Sequence, residues 1–411
     1  MERKKGLFCL VCLLTMCLFA IISFIESPLT VAASEKLKVI KVGWLFDMTG
    51  PLANTSNLAL LGAEDWFRYS NESGFTPGVK IEMEHYDTKY DPARTALGYK
   101  KLKNQGVICI LGGYSQDAEV VKPICTRDKV PFISATGGET TLTPPGWVFV
   151  TLPRWLDAFN SLIVWVQDTW DYEKMGRNPR LCSLGWDNTL GTSHIKTSQE
   201  FAKKNNMKID LGPFEVVPMM TMDFSTNVKR IKDADPDYIY LSMVSGPNAS
   251  AIKQLLNESV RGKIMVMITG SSLSVISNVV GEERIQGLLK LTYYGWFTDD
   301  TPGMKLAMEL QAKYHPDKSI AEDSYFWCYF GAMAITKAIG KIIKEKGTEA
   351  INRVTLYKAL EEIEVDSQGL CGTIKFGKEK GPGIPRMRIQ KLIGNTWVDE
   401  SKWYPSPPVG Q

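Results

Sequence analysis

The sequence predicts an α/β protein with two units, each containing a mostly parallel sheet flanked by helices. Three observations lead to this prediction. From Lys38 to Ser134, short runs rich in β-branched and aromatic residues alternate with segments of helical periodicity, and the same alternation returns from Arg180 to Tyr293. A helical block and two further β-rich runs then close the chain. Such alternation is typical of parallel sheets, because parallel strands need long crossover connections.

The individual elements follow from apolar periodicity and from residues that start helices. Asp91-Pro92 indicates a helix start, because aspartate caps a helix and proline fits its first position. The predicted strands span 39–46, 79–86, 107–111, 131–134, 180–185, 212–218, 238–243, 263–268 and 285–293, and the predicted helices are 56–72, one that opens at 91, 116–128, 191–205, 225–234, 248–259, 303–314, 322–345 and 350–362. We expect Leu370–Phe376 and Arg386–Ile393 to form a closing hairpin, and the end from Tyr404 to be a loose tail.

The first 33 residues have the pattern of a secretory signal peptide. Arg3-Lys4-Lys5 precedes an apolar run from Leu7 to Ile25, and Val31-Ala32-Ala33 offers small residues where a signal peptidase reads them. We expect cleavage after Ala33 and export of the remaining chain. An uncleaved N-terminal membrane anchor stays open as an alternative, because the apolar run is long enough to span a bilayer.

Composition and motifs exclude several classes of function. The 48 basic and 45 acidic residues leave a charge of +3, without the basic excess of a nucleic-acid-binding protein. The three histidines lie far apart, so a zinc site is not expected. The chain also contains no dinucleotide-binding or P-loop glycine motif and no G-x-S-x-G elbow. We therefore expect no cofactor, no metal, no catalytic residues and no enzymatic activity.

Five cysteines remain after residue 33, an odd number for an exported protein. Cys109 lies in a strand pattern and Cys125 near the end of the next helix, so these two could form a disulfide in an oxidising compartment. In the alternative, all five are small buried apolar residues.

Ligands of parallel sheets bind beyond the carboxyl ends of the strands. Four loops lie there: Asp47–Asn57, Gly112–Gln116, Ser134–Thr140 and Thr269–Ser272. Helix starts in such loops present free backbone N–H groups that favour an anion such as a carboxylate. In the alternative, the glycine pairs of the second and third loops only form tight turns.

Several motifs occur together in a characteristic order. They are Lys41–Pro51 (KVGWLFDMTGP), Gly62-Ala63-Glu64, Tyr86-Asp87 with Asp91–Ala96, Gly112–Ser115, Val130–Ser134, Met222–Ser225, Asp235–Asp237, Gly369–Phe376 and Ile393–Trp397. With these motifs the chain resembles the branched-chain amino-acid-binding (leucine/isoleucine/valine-binding) family of substrate-binding proteins of ABC importers. The resemblance covers essentially all of the chain after the signal peptide.

The resemblance implies a type I periplasmic binding protein fold, with two lobes joined by three crossovers. The first lobe would comprise residues 36–153 and 288–364, the second 154–287 and 365–403, and 404–411 the tail. The ligand would bind between the lobes, which close over it, and an ABC-type membrane permease would recognise the closed form. A monomer in the periplasm is expected.

The resemblance also implies the ligand-binding residues. Ser115 matches a hydroxyl that holds the ligand carboxylate, and Gly137 and Gly138 supply neighbouring main chain. Leu190 stands where a tyrosine is common, and Ser271 stands where a carboxylate would pair with an α-ammonium group. Further candidates are Tyr114, Ser134 and Glu139 in the same loops, and Asp187 and Trp296 in other segments near the cleft.

An ammonium group buried without a counter-charge is costly. Ser271 therefore favours an organic acid or a neutral amide over an aliphatic amino acid, unless Glu139 supplies the charge. Aromatic residues near the cleft could stack on such a ligand, although for each one packing in the core or between the lobes is the favoured alternative; they are Tyr114, Trp155, Trp186, Tyr293, Tyr294 and Trp296. Two other classes stay open: a ligand sensor that acts through a partner, and an exported enzyme on the same scaffold.

Overall fold

The computed structural model describes residues 37–267, 272–318, 320, 322–379 and 381–406. The chain divides into a short N-terminal unit, Met1–Leu37, and a large unit, Lys38–Gln411. Of the short unit only Leu37 is described, so the predicted signal peptide or anchor lies outside the described residues.

A five-stranded parallel sheet organises the first part of the large unit, in the order β2-β1-β3-β4-β5. Its strands therefore end at one edge, where the loops after β1, β3 and β4 lie side by side. The elements are β1 (Lys38–Phe46), α1 (Ala53–Ser73), β2 (Val79–Asp87), α2 (Pro92–Asn104), β3 (Cys109–Gly112), α3 (Ser115–Asp128), β4 (Phe132–Ser134), α4 (Glu139–Leu142) and β5 (Val148–Val150).

A second sheet follows, in the order β14-β13-β10-β9-β8-β6-β7, with β15 paired to β13. Strands β6 to β10 are parallel to one another, and β13 runs antiparallel to β10. The elements up to β10 are α5 (Trp155–Thr169), α6 (Tyr172–Met175), β6 (Arg180–Trp186), α7 (Thr189–Lys204), β7 (Asp210–Val217), α8 (Ser225–Asp233), β8 (Tyr238–Ser242), α9 (Ser245–Asn257), β9 (Lys263–Met267), α10 (Leu273–Val280), a 3₁₀ turn (Glu283–Ile285) and β10 (Leu289–Thr292).

The rest of the chain returns to the first sheet and then to the second. Helices α11 and α12 pack against α1, and α12 also contacts β3 and β4. We call the first sheet with its helices the first lobe, and the second sheet with its helices the second lobe. The remaining elements are α11 (Pro302–Tyr314), a 3₁₀ turn (Asp323–Tyr325), α12 (Phe326–Lys346), a 3₁₀ turn (Thr348–Ala350), α13 (Arg353–Glu362), β11 (Val365–Asp366), β12 (Thr373–Ile374), β13 (Arg386–Ile393), β14 (Thr396–Asp399) and β15 (Tyr404–Pro405).

The helical segment Asp323–Lys346 is long and apolar enough to cross a membrane, but 78% of its most apolar window is buried inside the protein. It is the central helix of the first lobe. Its burial explains why most of its length is apolar: α12 contacts neighbours from several sides.

Local sequence signals identified the start of α2 but missed two other elements. The Asp91 carboxylate caps α2 by accepting a hydrogen bond from the backbone N–H of Arg94 at 2.8 Å. The sequence pattern missed β5, because three residues give no periodicity, and it missed α5, which is buried on nearly every side and so has no polar stripe.

Two predicted boundaries and one predicted strand pairing are wrong. The first lobe was predicted to resume at residue 288, but β10 pairs with β9 and β13 in the second sheet, so the chain crosses back after Thr292. The predicted hairpin of 370–376 with 386–393 does not form; β12 pairs with β11, and β13 pairs with β14. The predicted tail begins too early, because Tyr404 and Pro405 form β15. Residue patterns define strands but do not reveal their partners.

The five cysteines between residues 109 and 371 are buried, and none forms a disulfide. Cys109 points to one face of the first sheet and Cys125 packs on the other, which excludes the bridge between them. Burial raises the pKa of the Cys182 and Cys371 thiols to about 12. The alternative of five buried apolar thiols is therefore the one that the structure supports.

Candidate functional site

The carboxyl edge of the first sheet brings two predicted site residues, Ser115 and Gly137, together through Trp155. Ser115 is the first residue of α3, and its Oγ accepts a hydrogen bond from Nε1 of Trp155 at 3.3 Å. The backbone N–H of Trp155 donates to the carbonyl of Gly137 at 3.2 Å. Helix α5 begins at Trp155, just after β5. Through its bonds to Ser115 and Gly137, Trp155 joins the two predicted ligand loops.

Gly138 lies where the lobes touch. A Cβ atom at this position would be 2.1 Å from Cγ2 of Thr189, the first residue of α7 in the second lobe. The backbone of Gly138 is extended (φ −96°), a conformation open to any residue, so a tight turn does not explain the glycine. The close approach of the second lobe does.

Glu119 forms a polar contact at the same place. Its carboxylate accepts hydrogen bonds from Oγ1 of Thr189 at 3.0 Å and from Oγ1 of Thr140 at 3.4 Å. Burial raises the pKa of the Glu119 carboxyl. The sequence analysis missed Glu119, although it lies four residues after Ser115 and hence on the same face of α3.

A second polar contact between the lobes involves Glu322. Its Oε1 accepts hydrogen bonds from the hydroxyls of Ser272, at 3.0 Å, and Ser274, at 3.2 Å, both at the start of α10. Burial raises the pKa of the Glu322 carboxyl. Glu322 precedes α12 of the first lobe. Ser272 is the next residue after Ser271, which is a predicted site residue. Ser271 itself lies outside the described residues.

Lys290 and Asp323 extend this contact in the interior. The fully buried Lys290 ammonium lies 3.3 Å from both oxygens of Asp323 and 4.0 Å from the centre of the Trp296 ring. Burial lowers the pKa of Lys290 and raises that of Asp323, while the attraction between the two charges opposes both shifts. The predicted site residue Trp296 is covered by this lysine and does not offer that face to a ligand.

Other predicted residues pack within the lobes. The Tyr114 hydroxyl lies 2.9 Å from Oγ of Ser56 and donates to the Leu52 carbonyl at 3.2 Å, inside the first lobe. The Ser134 hydroxyl is buried and donates to the carbonyl of Thr136 at 2.7 Å. Both hydroxyls are already hydrogen-bonded within the first lobe, so these two side chains support the loops.

The remaining candidates differ in exposure. Glu139 and Asp187 are exposed, whereas Leu190 is 9% exposed at the start of α7. Trp186 and Tyr293 are buried, and the Tyr294 hydroxyl donates to the Asp323 carbonyl at 2.6 Å. These three aromatic side chains pack inside the protein in this arrangement, as the core alternative of the sequence analysis states.

The crossovers between the lobes are bound to one another. The backbone N–H of Ile384 donates to the carbonyl of Thr151, and that of Gly295 donates to the carbonyl of Leu370, both at 2.8 Å. Beside them, the buried Arg154 guanidinium donates to the Asp157 carboxylate at 2.7 and 2.8 Å. Neighbouring crossovers of this kind form a hinge about which two lobes can move.

His194 is a core residue of the second lobe. It is fully buried, stacks on Phe159 at 4.3 Å between ring centres, and has its Nε2 3.1 Å from Oγ of Ser183. Burial lowers the pKa of its imidazole to about 3. The apolar stripe of α7 did not reveal that this polar ring faces inward.

We predict that His194 makes the protein sensitive to acid. Its pKa in the folded state lies below the ordinary value of about 6.5, so the unfolded chain binds a proton that the folded chain does not. Stability is highest above pH 6.5 and falls as the pH drops towards 3, by about 2 kcal/mol at pH 5. Denaturant unfolding at pH 7, 6 and 5 should show a smaller loss in the His194→Phe variant. The exposed His85→Gln variant should behave like the unaltered chain; an unchanged slope in His194→Phe would contradict the assignment.

Among the described residues, no three His, Cys, Asp or Glu side chains cluster as metal ligands. The arrangement consists of two lobes, a hinge, and residues of the first lobe that contact the starts of α7 and α10 in the second lobe.

Comparison with known proteins identifies the group to which this chain is related. The family described as periplasmic binding protein matches residues 39–396. The chain belongs to the periplasmic binding protein family. It is 23% identical over 309 residues to the Leu/Ile/Val-binding protein of Escherichia coli K12, covering 75% of this chain and 80% of that protein.

Solved structures show the type I periplasmic binding protein fold. A branched-chain amino acid ABC transporter protein of Thermus thermophilus with bound valine has a TM-score of 0.79 at 18% identity, covering 90% of this chain and 97% of the other. A fatty acid ABC transporter substrate-binding protein of Thermomonospora curvata has a TM-score of 0.77 at 20% identity, covering 90% and 93%. Members of this periplasmic binding protein family bind solutes for transporters and are not enzymes.

Proposed function

We propose that this chain is an extracytoplasmic receptor that captures a small solute between its lobes and delivers it to an ABC-type membrane permease. One observation carries the proposal: Trp155 joins Ser115 and Gly137 at the carboxyl edge of the first sheet, and Gly138 of the same edge lies against Thr189 at the start of α7 in the second lobe. The relatives named for transporters support the same role. We further propose that it acts as a monomer in the periplasm.

The ligand class follows from the donors of the first lobe. Ser115 accepts its hydrogen bond from Trp155, so its own proton can be donated to a ligand. The first N–H groups of α3 have no partners within the helix. Together they suit a carboxylate or an amide oxygen.

We favour an aromatic or other organic acid, or an amide, over an aliphatic amino acid. Ser271 supplies no counter-charge for an ammonium group, and Glu139 is exposed.

Glu322 favours a second candidate, the branched-chain amino acids. Its Oε1 is held by two serine hydroxyls at the start of α10. A carboxylate beside the loop of Ser271 could receive an ammonium group, although it comes from the other lobe. The Leu/Ile/Val-binding relatives agree with this candidate.

A thermal-shift panel of amino acids, organic acids and amides tests both candidates. A ligand at 100 times its Kd should stabilise the protein by about 2.7 kcal/mol. Stabilisation by aromatic or other organic acids supports the first candidate, and stabilisation by leucine or valine alone supports the second. A lack of response to the whole panel would contradict the receptor role.

We predict that Ser115→Ala weakens binding of the best carboxylate ligand by about 1.5 to 3 kcal/mol, because it removes a hydrogen bond to a charged group. Titration calorimetry measures this loss. Ser277→Ala, on the surface of α10, should bind normally. The Glu322→Gln variant separates the candidates, since it should weaken only ligands with an ammonium group. Normal binding by Ser115→Ala would contradict the proposed site.

A further inference from the structure

Glu119 is a carboxylate at the contact between the lobes. Its Oε2 accepts a hydrogen bond from Oγ1 of Thr189 in the second lobe at 3.0 Å, and its Oε1 accepts one from Oγ1 of Thr140 in the first lobe at 3.4 Å. The neighbouring cation is Lys122, three residues further along α3, and its ammonium group donates to the Thr140 carbonyl. Among the described residues Glu119 has no ion-pair partner, so two neutral hydroxyl groups hold its charge.

Closure of the lobes covers this carboxylate without bringing a positive charge to it. The part of the second lobe that faces it is the start of α7, where Thr189 contributes a hydroxyl group. The titratable residues around it are Tyr90 and Lys122 in the first lobe and the exposed Asp187, which precedes α7. Removal of water disfavours the charged form of a carboxyl group, and burial raises the pKa of Glu119.

The second polar contact between the lobes differs in this respect. Glu322 also accepts hydrogen bonds from hydroxyls of the second lobe, but the buried Lys290 ammonium of β10 favours its charged form. Closure therefore gives Glu322 a balancing cation and leaves Glu119 without one. A response of closure to pH is expected at Glu119.

We propose that the closing lobes take up a proton at Glu119, so that mild acid favours the closed form. The neutral carboxyl keeps the contact, because its carbonyl oxygen still accepts the Thr189 hydroxyl, and no charge is buried. Linkage is reciprocal: if closure favours the bound proton, the proton favours closure by the same free energy. Stronger capture of the solute in acid rests on the proposed function, whereas proton uptake on closure rests only on the two lobes.

The direction follows from the raised pKa of Glu119. At a pH above this pKa the carboxylate is charged in both forms, and the open form, in which water reaches it, is favoured. As the pH falls through the raised pKa, the closed form gains a proton that the open form lacks, so the ratio of closed to open molecules rises. One carboxyl group can change this ratio by at most about tenfold per pH unit.

Small-angle scattering from the ligand-free full chain at pH 8, 7, 6 and 5.5 tests the proposal. The radius of gyration should fall with the pH. In Glu119→Gln the side chain is neutral at every pH, so its radius at pH 8 should already match that of the unaltered chain at pH 5.5. Glu309→Gln, exposed on α11, should behave like the unaltered chain.

Two results would overturn the proposal. A radius that is independent of pH would show that closure takes up no proton. A radius that grows in acid, with Glu119→Gln more open than the unaltered chain at pH 8, would show that the charged hydrogen bond to Thr189 holds the lobes together.

NMR of ¹³C-labelled glutamate carboxyl groups measures the site directly. The Glu119 resonance, identified by its loss in Glu119→Gln, should titrate with a pKa above the ordinary value of about 4.3. In Gly138→Ala it should titrate closer to that value, because the new Cβ atom would lie 2.1 Å from Cγ2 of Thr189 and keep the lobes apart. The same midpoint in both proteins would mean that the facing lobe does not act on the carboxyl, and the proposal would be wrong. Closure in acid without a response to any solute in the panel would instead count against the proposed function.

Discussion

In the Gly138→Ala variant the two lobes should close incompletely. The variant should therefore bind the cleft ligand more weakly, by about 1 to 3 kcal/mol, the usual cost of overpacking a tight contact. The new Cβ atom would lie 2.1 Å from Cγ2 of Thr189 and 2.9 Å from Oε1 of Glu119. Rotating Thr189 away would break its hydrogen bond to Glu119. The lobes must therefore separate slightly, while each lobe keeps its own core. Titration calorimetry and small-angle scattering with and without ligand measure the two effects.

A rescue variant distinguishes this steric effect from a general destabilisation of the protein. Adding Thr189→Ser to Gly138→Ala removes the clashing methyl group but keeps the hydroxyl for Glu119, so affinity should largely return. Gly246→Ala is the matched control, because a Cβ atom there meets nothing within 4 Å. Equal loss of affinity in the single and double variants would contradict the contact.

The Asp157→Asn variant should lose about 3 to 5 kcal/mol of stability, the usual result of breaking a buried ion pair. Arg154 is 4% exposed, and its guanidinium bonds to both Asp157 oxygens at the start of the first crossover. An arginine does not deprotonate, so the variant leaves a buried charge without a partner. Denaturant unfolding measures the loss.

Removing both charges should cost much less. In Arg154→Met with Asp157→Leu no buried charge is left unpaired, and such exchanges are often neutral or stabilising. An exposed pair serves as control: Lys196 and Glu200 lie 3.7 Å apart on the surface, and Glu200→Gln should change stability by less than about 1 kcal/mol. If Asp157→Asn is no worse than Glu200→Gln, the crossover pair is not important for stability.

Most of the fold could be predicted because its signals are local. The alternation of strands and helices, the helix start at Asp91-Pro92 and the closely spaced glycine loops each depend on a few neighbouring residues. The pairing of β10 with β13 could not be predicted, since it joins segments about a hundred residues apart. The same limitation produced the wrong hairpin near the C-terminus.

The site was predicted unevenly for a related reason. Ser115 and Gly137 were predicted because each lies in a loop that follows a strand at the carboxyl edge of the sheet. Glu119 and Glu322 were missed, since a charged residue in a helical pattern has the same signature whether it faces solvent or another lobe. Only the folded chain shows that both reach serine or threonine hydroxyls of the second lobe.

The most direct test of the central claim is a crystal structure of the protein with the ligand that stabilises it most in the panel. We predict that the carboxylate or amide of the ligand lies within hydrogen-bonding distance of Oγ of Ser115 and of the first N–H groups of α3, with Gly138 in contact with Thr189. A ligand bound elsewhere, with Ser115 still bonded only to Trp155, would contradict the proposed site.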